Sequence, residues 1–186
     1  MTLDRGKSRY EKQCLACCDC YKICHTNCMK TVPFSDVHPT DQEMLRTAVQ
    51  HLSRSLNKIT NPSTCAIAVA QKGRYFGNNI FLSNDTLVCA EASALAGATA
   101  ADDHKVTKLY LVIGRTDSEP HIVSPCGNCR QWLHDFARLN DQVIQVLSAT
   151  RALDKVMVTD SDELLPEGFK SAGLGRMANA KQEDSI

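Results

Sequence analysis

Cys89, Ala90 and Glu91 form a CAE triplet, and residues 124–129 read SPCGNC, so three cysteines and one glutamate stand in a pattern that can do chemistry. Three thiolates can share one divalent metal. Three protein ligands leave a fourth position for water, whereas four close the site and make it structural. Glu91 stands beside the first cysteine without being a ligand itself, where a carboxylate can move protons. The pattern points to a hydrolytic zinc centre with Cys89, Cys126 and Cys129 as ligands and Glu91 as its acid and base. A zinc so held lowers the pKa of its water from 15.7 to about 7. The alternatives, a zinc knuckle or thiols packed as small hydrophobes, do not account for a single upstream cysteine followed by a glutamate.

Such ligands must be carried by elements that hold them still. Cys126 and Cys129 are three apart, so one helical turn brings both sulfurs to one face. Ser124 at an N-cap with Pro125 at the first helical position is a favoured helix start, and Trp132, Leu133, Phe136 and Leu139 continue an apolar helical pattern. Cys89 opens a second helix through Ala94, Leu95, Ala98 and Ala101. Both ligand groups then lie at helix N-termini, where the macrodipole favours thiolate over thiol. Ahead of them, Thr40 and Glu43 form a capping box before Met44, Leu45, Ala48, Val49, Leu52 and Leu56 at helical spacing. Residues 64–70 and 74–80 read as a strand pair turning at Gln71, Lys72 and Gly73, and 108–113, 143–147 and 155–158 read as further strands. Helices alternating with short apolar strands imply a layered α/β sandwich.

The CAE triplet, the SPCGNCRQ of 124–131 and the LLPEGF of 164–169 resemble the cytidine deaminase family, from about Thr40 to Phe169. The resemblance implies a three-layer α/β/α sandwich around a five-stranded mixed sheet, a zinc cofactor, and deamination of a cytosine nucleoside with Glu91 as the proton shuttle. Family members acting on larger substrates usually begin the ligand set with histidine. Cys89 in that place resembles the small homotetrameric nucleoside deaminases and their blasticidin S deaminase relatives. The implied reaction converts cytidine or deoxycytidine to the uracil nucleoside plus ammonia, in a pyrimidine salvage role. The implied assembly is a homotetramer, in which Phe169 matches a phenylalanine that reaches a neighbour's active site; the alternative is a C-terminal phenylalanine packed on its own core.

Departures from the family bear on the substrate. Relatives carry an asparagine, a branched residue and a glutamate ahead of the CAE to hold the ribose. Here Asn79 with Ile80 takes the first two places and Phe81 the third; if Asn78 leads instead, Ile80 stands third. Either way the carboxylate is missing, and an apolar replacement forfeits selectivity for a hydroxyl. Blasticidin S deaminases resemble this chain in placing an aromatic there, so an aminoacyl-nucleoside of that type is the alternative substrate. Ala92 stands where many tetrameric relatives carry arginine, leaving Arg130 as the nearest cation to offset the thiolates. Another class of reading is a catalytically silent deaminase fold that recruits a partner through the cysteine-rich N-terminal arm, but such a scaffold would have no physical need of Glu91.

The 186 residues carry 21 basic and 21 acidic side chains, with no basic block to suggest nucleic acid or an anionic membrane as a partner. A small uncharged substrate fits better. The expected organisation is a cysteine-rich arm over 1–35, a catalytic domain over 36–169 and a polar tail over 170–186. The N-terminus lacks the apolar core of a secretory signal, so a cytoplasmic location with reduced thiols is expected. Within the arm, six cysteines and a histidine fall in fifteen residues. Cys14, Cys17, Cys24 and Cys28 are candidates for a second, structural zinc, although the six residues between the pairs make a short loop for such a module.

Overall fold

The computed structural model describes residues 29–57, 62–83, 87–114 and 124–170. The cysteine-rich stretch, with Cys14, Cys17, Cys24 and Cys28, lies outside the described residues. Strand β1 (Lys30–Pro33) and helix α1 (Pro39–His51) come first, then β2 (Leu56–Asn57), β3 (Ser63–Val69), β4 (Arg74–Asn78), β5 (Ile80–Phe81) and β6 (Leu87–Val88). They are followed by α2 (Ala90–Ala100), β7 (Lys108–Gly114), α3 (Gly127–Leu139), β8 (Gln145–Thr150), β9 (Lys155–Asp160) and the short α4 (Ser161–Leu164). The main sheet runs β1-β9-β8-β7-β3-β4. Its β7–β8 pair is parallel and its other pairs are antiparallel, so the sheet is mixed as expected.

Both faces of this sheet are covered, which is why its central strands read as nearly continuous apolar runs. In β3 the period of two sends Cys65 and Ile67 to one side and Ala66 and Ala68 to the other. Cys65 and Ile67 meet α1 through Met44, Leu45 and Ala48. Ala66 and Ala68 meet α2 and α3 through Ala94, Leu95, Ala98 and Leu133. The result is the α/β/α sandwich, with α2 and α3 side by side on one face.

Three local expectations are corrected. The sheet has six strands rather than five, because Lys30–Pro33 pairs along β9 from Lys30 with Val158 to Pro33 with Lys155. This edge strand is short, mostly exposed and ends in proline, so no apolar alternation marks it. Helix α1 is capped by His38, whose Nδ1 accepts from the Thr40 backbone N–H at 3.3 Å, with Pro39 as the first helical residue, in place of the Thr40–Glu43 box. The strand expected over 74–80 breaks at Asn79, and the chain passes there into a second sheet of order β2-β5-β6.

Helix α1 is tied to β7 by a buried polar knot. Asp41 is 8% exposed and its Oδ1 accepts from Lys108 Nζ at 2.8 Å and from Tyr110 OH at 2.6 Å. Burial alone pushes the Asp41 carboxyl up, but the two hydrogen bonds and the Lys108 charge outweigh it and hold the group below its ordinary value. A depressed folded-state pKa stabilises the fold above the unfolded value of about 3.9 and loses that contribution as pH falls through the lower native value. Asp41→Asn should therefore cost about 2 kcal/mol at pH 7. In urea titrations that deficit should shrink as pH falls below the unfolded value toward the lower native one; an equal deficit at neutral and acid pH would show that the charge is not responsible.

Candidate active site

Cys89 is the N-cap of α2 and Cys126 the N-cap of α3, both with extended backbone (φ −70°, ψ 149° and φ −66°, ψ 165°). Ser124, expected to cap α3, stands two residues earlier. Neither cap side chain bonds its own helix, so both sulfurs are left to face each other across the two helix ends. Cys89 Sγ and Cys126 Sγ are 3.6 Å apart, and with Cys129 Sγ all three lie within 4.8 Å of one another. Two sulfurs bound tetrahedrally at 2.3 Å to one zinc stand about 3.8 Å apart, so this donor set fits the ion in both chemistry and spacing. Among the described residues it is the one cluster of metal-ligating side chains close enough to share an ion.

The electrostatics of the cluster favour losing protons to a metal. The Cys129 thiol donates toward Cys89 and, against the effect of burial, holds the Cys89 thiol well below its ordinary value. The same hydrogen bond, with burial adding to it, pushes Cys129 up. A cation that neutralises the shared negative charge displaces the remaining protons. Glu91, in the first turn of α2, is 5% exposed. Burial, reinforced by the Cys89 charge, raises its carboxyl to about 7 although its own backbone N–H and the Cys129 thiol act the other way. A carboxyl titrating near neutrality can both take and return a proton.

These groups open into a cavity of about 200 Å³. Leu111 and Ile113 of β7 line it with apolar surface, together with Cys89, Cys126 and Glu91. Pro62, Thr64 and Asn79 also line its wall, as does Leu87, which is 54% exposed. Asn79 is buried, and its Oδ1 accepts from the Thr64 N–H at 2.8 Å while its Nδ2 donates to the Pro62 carbonyl at 3.2 Å. Its backbone N–H donates to Thr64 O at 3.2 Å and its carbonyl accepts from Leu56 N at 3.1 Å, so this residue joins the two sheets and shapes the wall. Phe81 sits in β5 opposite Leu87 and does not line the cavity. Arg130 folds back, with Nε donating to Pro125 O at 2.7 Å and Nη2 to Ser124 Oγ at 3.0 Å, and so braces the turn that delivers Cys126. Phe169 lies outside the cavity with 74% of its surface exposed.

Two residues that shape this region carry no chemistry of their own. Gly77 of β4 lies so close beneath α2 that a Cβ there would run into the Ala90 carbonyl oxygen and the Ala94 nitrogen. The signal was a lone glycine inside a strand pattern, which marks a close backbone approach. Gln131, one residue past Arg130, binds the backbone of Phe169 through both ends of its side-chain amide. Nothing in the local pattern marks it, because its partner is 38 residues away.

The family profile described as the cytidine and deoxycytidylate deaminase zinc-binding region matches residues 38–145. Among curated proteins, a cytidine deaminase from Mycoplasma genitalium is 25% identical over 122 residues, covering 65% of this chain and 88% of the relative. Among solved structures, a cytidine deaminase from Burkholderia pseudomallei superposes with a TM-score of 0.58 at 25% identity, covering 68% of this chain and 98% of that one. A cytidine deaminase from Mycobacterium tuberculosis superposes with a TM-score of 0.55 at 22% identity, covering 70% and 98%, a likeness of fold.

Proposed function

Since the chain belongs to the cytidine and deoxycytidylate deaminase family, we propose that it hydrolyses the C4 amino group of a cytosine nucleoside, releasing ammonia and leaving the uracil nucleoside. The observation that carries this reading is the buried carboxyl of Glu91 beside three converging thiols, at a cavity that Leu111 and Ile113 also line. Cys89, Cys126 and Cys129 would hold the zinc. When bound, zinc supplies a Lewis acid that makes water a nucleophile near neutral pH. Glu91 takes a proton from the attacking water and delivers it to N3 of the ring. A second transfer through Glu91 protonates the amine as the C4–N bond breaks. Leu111 and Ile113 offer the flat base an apolar surface, and the two helix N-termini temper the negative charge of the thiolates.

Among the described residues that line the cavity Glu91 is the one carboxylate, and with the Asn79 amide engaged by Thr64 and Pro62 this favours a second reading in which the sugar hydroxyls are weakly read. A blasticidin-like aminoacyl-nucleoside would then be accepted. The kcat/KM values for cytidine, 2′-deoxycytidine and 2′,3′-dideoxycytidine should lie within about tenfold of each other, because only a site built to bond a hydroxyl rejects its absence by 10⁴ or more. A thousandfold loss on the dideoxynucleoside would contradict this and return cytidine to first place.

The exposed Phe169 supports assembly as a homotetramer in which this ring borders a neighbour's cavity. Reduced thiols suit a cytosolic setting. No helix among the described residues is long and apolar enough to cross a membrane.

A further inference from the structure

The two thiols at helix N-caps are held in place by different means. Cys89 directly follows β6, and that strand is paired with β5 up to Val88, which stands opposite Ile80. Residues 124–126 belong to no strand or helix, so among the described residues no ladder fixes the backbone that presents Cys126. Arg130 takes that task. Its own N–H closes the first turn of α3 on the Cys126 carbonyl at 2.9 Å, while its guanidinium donates from Nε to Pro125 O at 2.7 Å and from Nη2 to Ser124 Oγ at 3.0 Å. Ser124, Pro125 and Cys126 are thus gripped together by the residue that follows Cys129.

The form of this grip decides what Arg130 does. The Nε and Nη2 groups are donors of one rigid, planar fork, which a lysine ammonium does not reproduce. Here the fork is turned onto neutral oxygens of the turn. Cys126 is also the most exposed of the three thiols, and its side chain makes no bond to its own helix, so the place of its sulfur depends on that of its backbone.

We propose that Arg130 is a positioning residue that, through the fork of its guanidinium rather than through its charge, holds residues 124–126 so that the Cys126 sulfur stays within reach of zinc. The inference rests on the reading of Cys89, Cys126 and Cys129 as the zinc ligands. Arg130 touches no substrate and acts through Cys126. Its loss loosens the most exposed ligand, and outer groups that orient metal ligands are typically worth about 10- to 100-fold in metal affinity.

The test measures the zinc dissociation constant of the full-length protein by competition with a chromophoric chelator, for wild type, Arg130→Ala, Arg130→Lys, Ser124→Ala and the Ser124→Ala/Arg130→Ala pair. Cys126→Ser supplies the baseline for any zinc held elsewhere in the chain, and urea midpoints of the metal-free proteins are recorded alongside. Arg130→Ala should weaken zinc binding about 10- to 100-fold. Arg130→Lys keeps the charge but not the fork, and it should resemble Arg130→Ala. Ser124→Ala should show a smaller loss, and the double variant should be no worse than Arg130→Ala alone. Wild-type affinity in Arg130→Lys would make the residue a counter-charge, and wild-type affinity in Arg130→Ala would remove it from the site. Either result, or penalties that multiply in the double variant, would overturn the proposal while leaving the deaminase reading intact. So would an Arg130→Lys protein whose urea midpoint falls in step with its zinc affinity, since that is a general loss of fold. A wild type that holds no more zinc than Cys126→Ser would sink both.

Discussion

Glu91→Gln leaves the zinc content of the protein unchanged and lowers turnover by about 10²- to 10⁴-fold, the range that a positioned acid and base contributes. The substitution keeps the size of the side chain and much of its hydrogen bonding. It removes the one property the reaction needs, a proton exchanged near neutrality. That property comes from the surroundings: burial raises the carboxyl to about 7, with the Cys89 charge adding to the effect. Because glutamine does not titrate there, the loss appears in kcat and kcat/KM alike, and KM changes little. Metal analysis beside steady-state kinetics separates this from damage to the thiol cluster. Retained turnover in a zinc-loaded Glu91→Gln protein would remove Glu91 from the chemistry.

Gly77→Ala, far less conspicuous in the sequence, should come close to that effect by another route. A Cβ at this point of β4 collides with backbone, the Ala90 carbonyl oxygen and the Ala94 nitrogen, which no rotamer change can relieve. Helix α2 must then move off the sheet or tilt, at a cost of about 3 kcal/mol, the upper end of what overpacking usually takes. Ala90 follows Cys89 and precedes Glu91, so the displaced segment is the one carrying a proposed ligand and the proposed proton shuttle. Shifts of about 1 Å at a reacting centre cost on the order of 10²-fold in rate. Both a lowered midpoint in urea and a fall in kcat are expected. A variant of wild-type stability and activity would mean that α2 has slack the structure does not show.

The chemistry was legible because its parts are local. The CAE triplet places the proposed shuttle two residues from a proposed ligand, and the PCxxC spacing puts two sulfurs at one helix end, so little beyond the pairing of α2 with α3 had to be supplied by the fold. The main helices and the strands β3, β7, β8 and β9 were likewise marked by apolar patterns, and β4 by the turn at Gln71, Lys72 and Gly73. What the pattern could not show depends on contacts distant in sequence or on elements too short for any period. The two-residue strands β2, β5 and β6 exist because Asn79 ends β4 and bonds Thr64, Pro62 and Leu56. An Asn-Asn pair in a strand pattern gives no hint of that. Ser124 looked like the cap of α3 from its proline neighbour, but Cys126 takes the place, and the serine hydroxyl accepts from Arg130. Arg130 itself, expected as a counter-charge to the thiolates, is held by hydrogen bonds to the turn before Cys126.

The central claim, that three thiols and Glu91 form a zinc site that deaminates a cytosine nucleoside, is tested most directly by ammonia release. Zinc-loaded protein is incubated with cytidine, deoxycytidine and blasticidin S, and ammonia is measured against the fall in cytosine absorbance. The account predicts one ammonia per cytosine lost on at least one of the three, abolished by stripping the metal and restored by zinc. Zinc-replete, folded protein that releases no ammonia from any of them would contradict it.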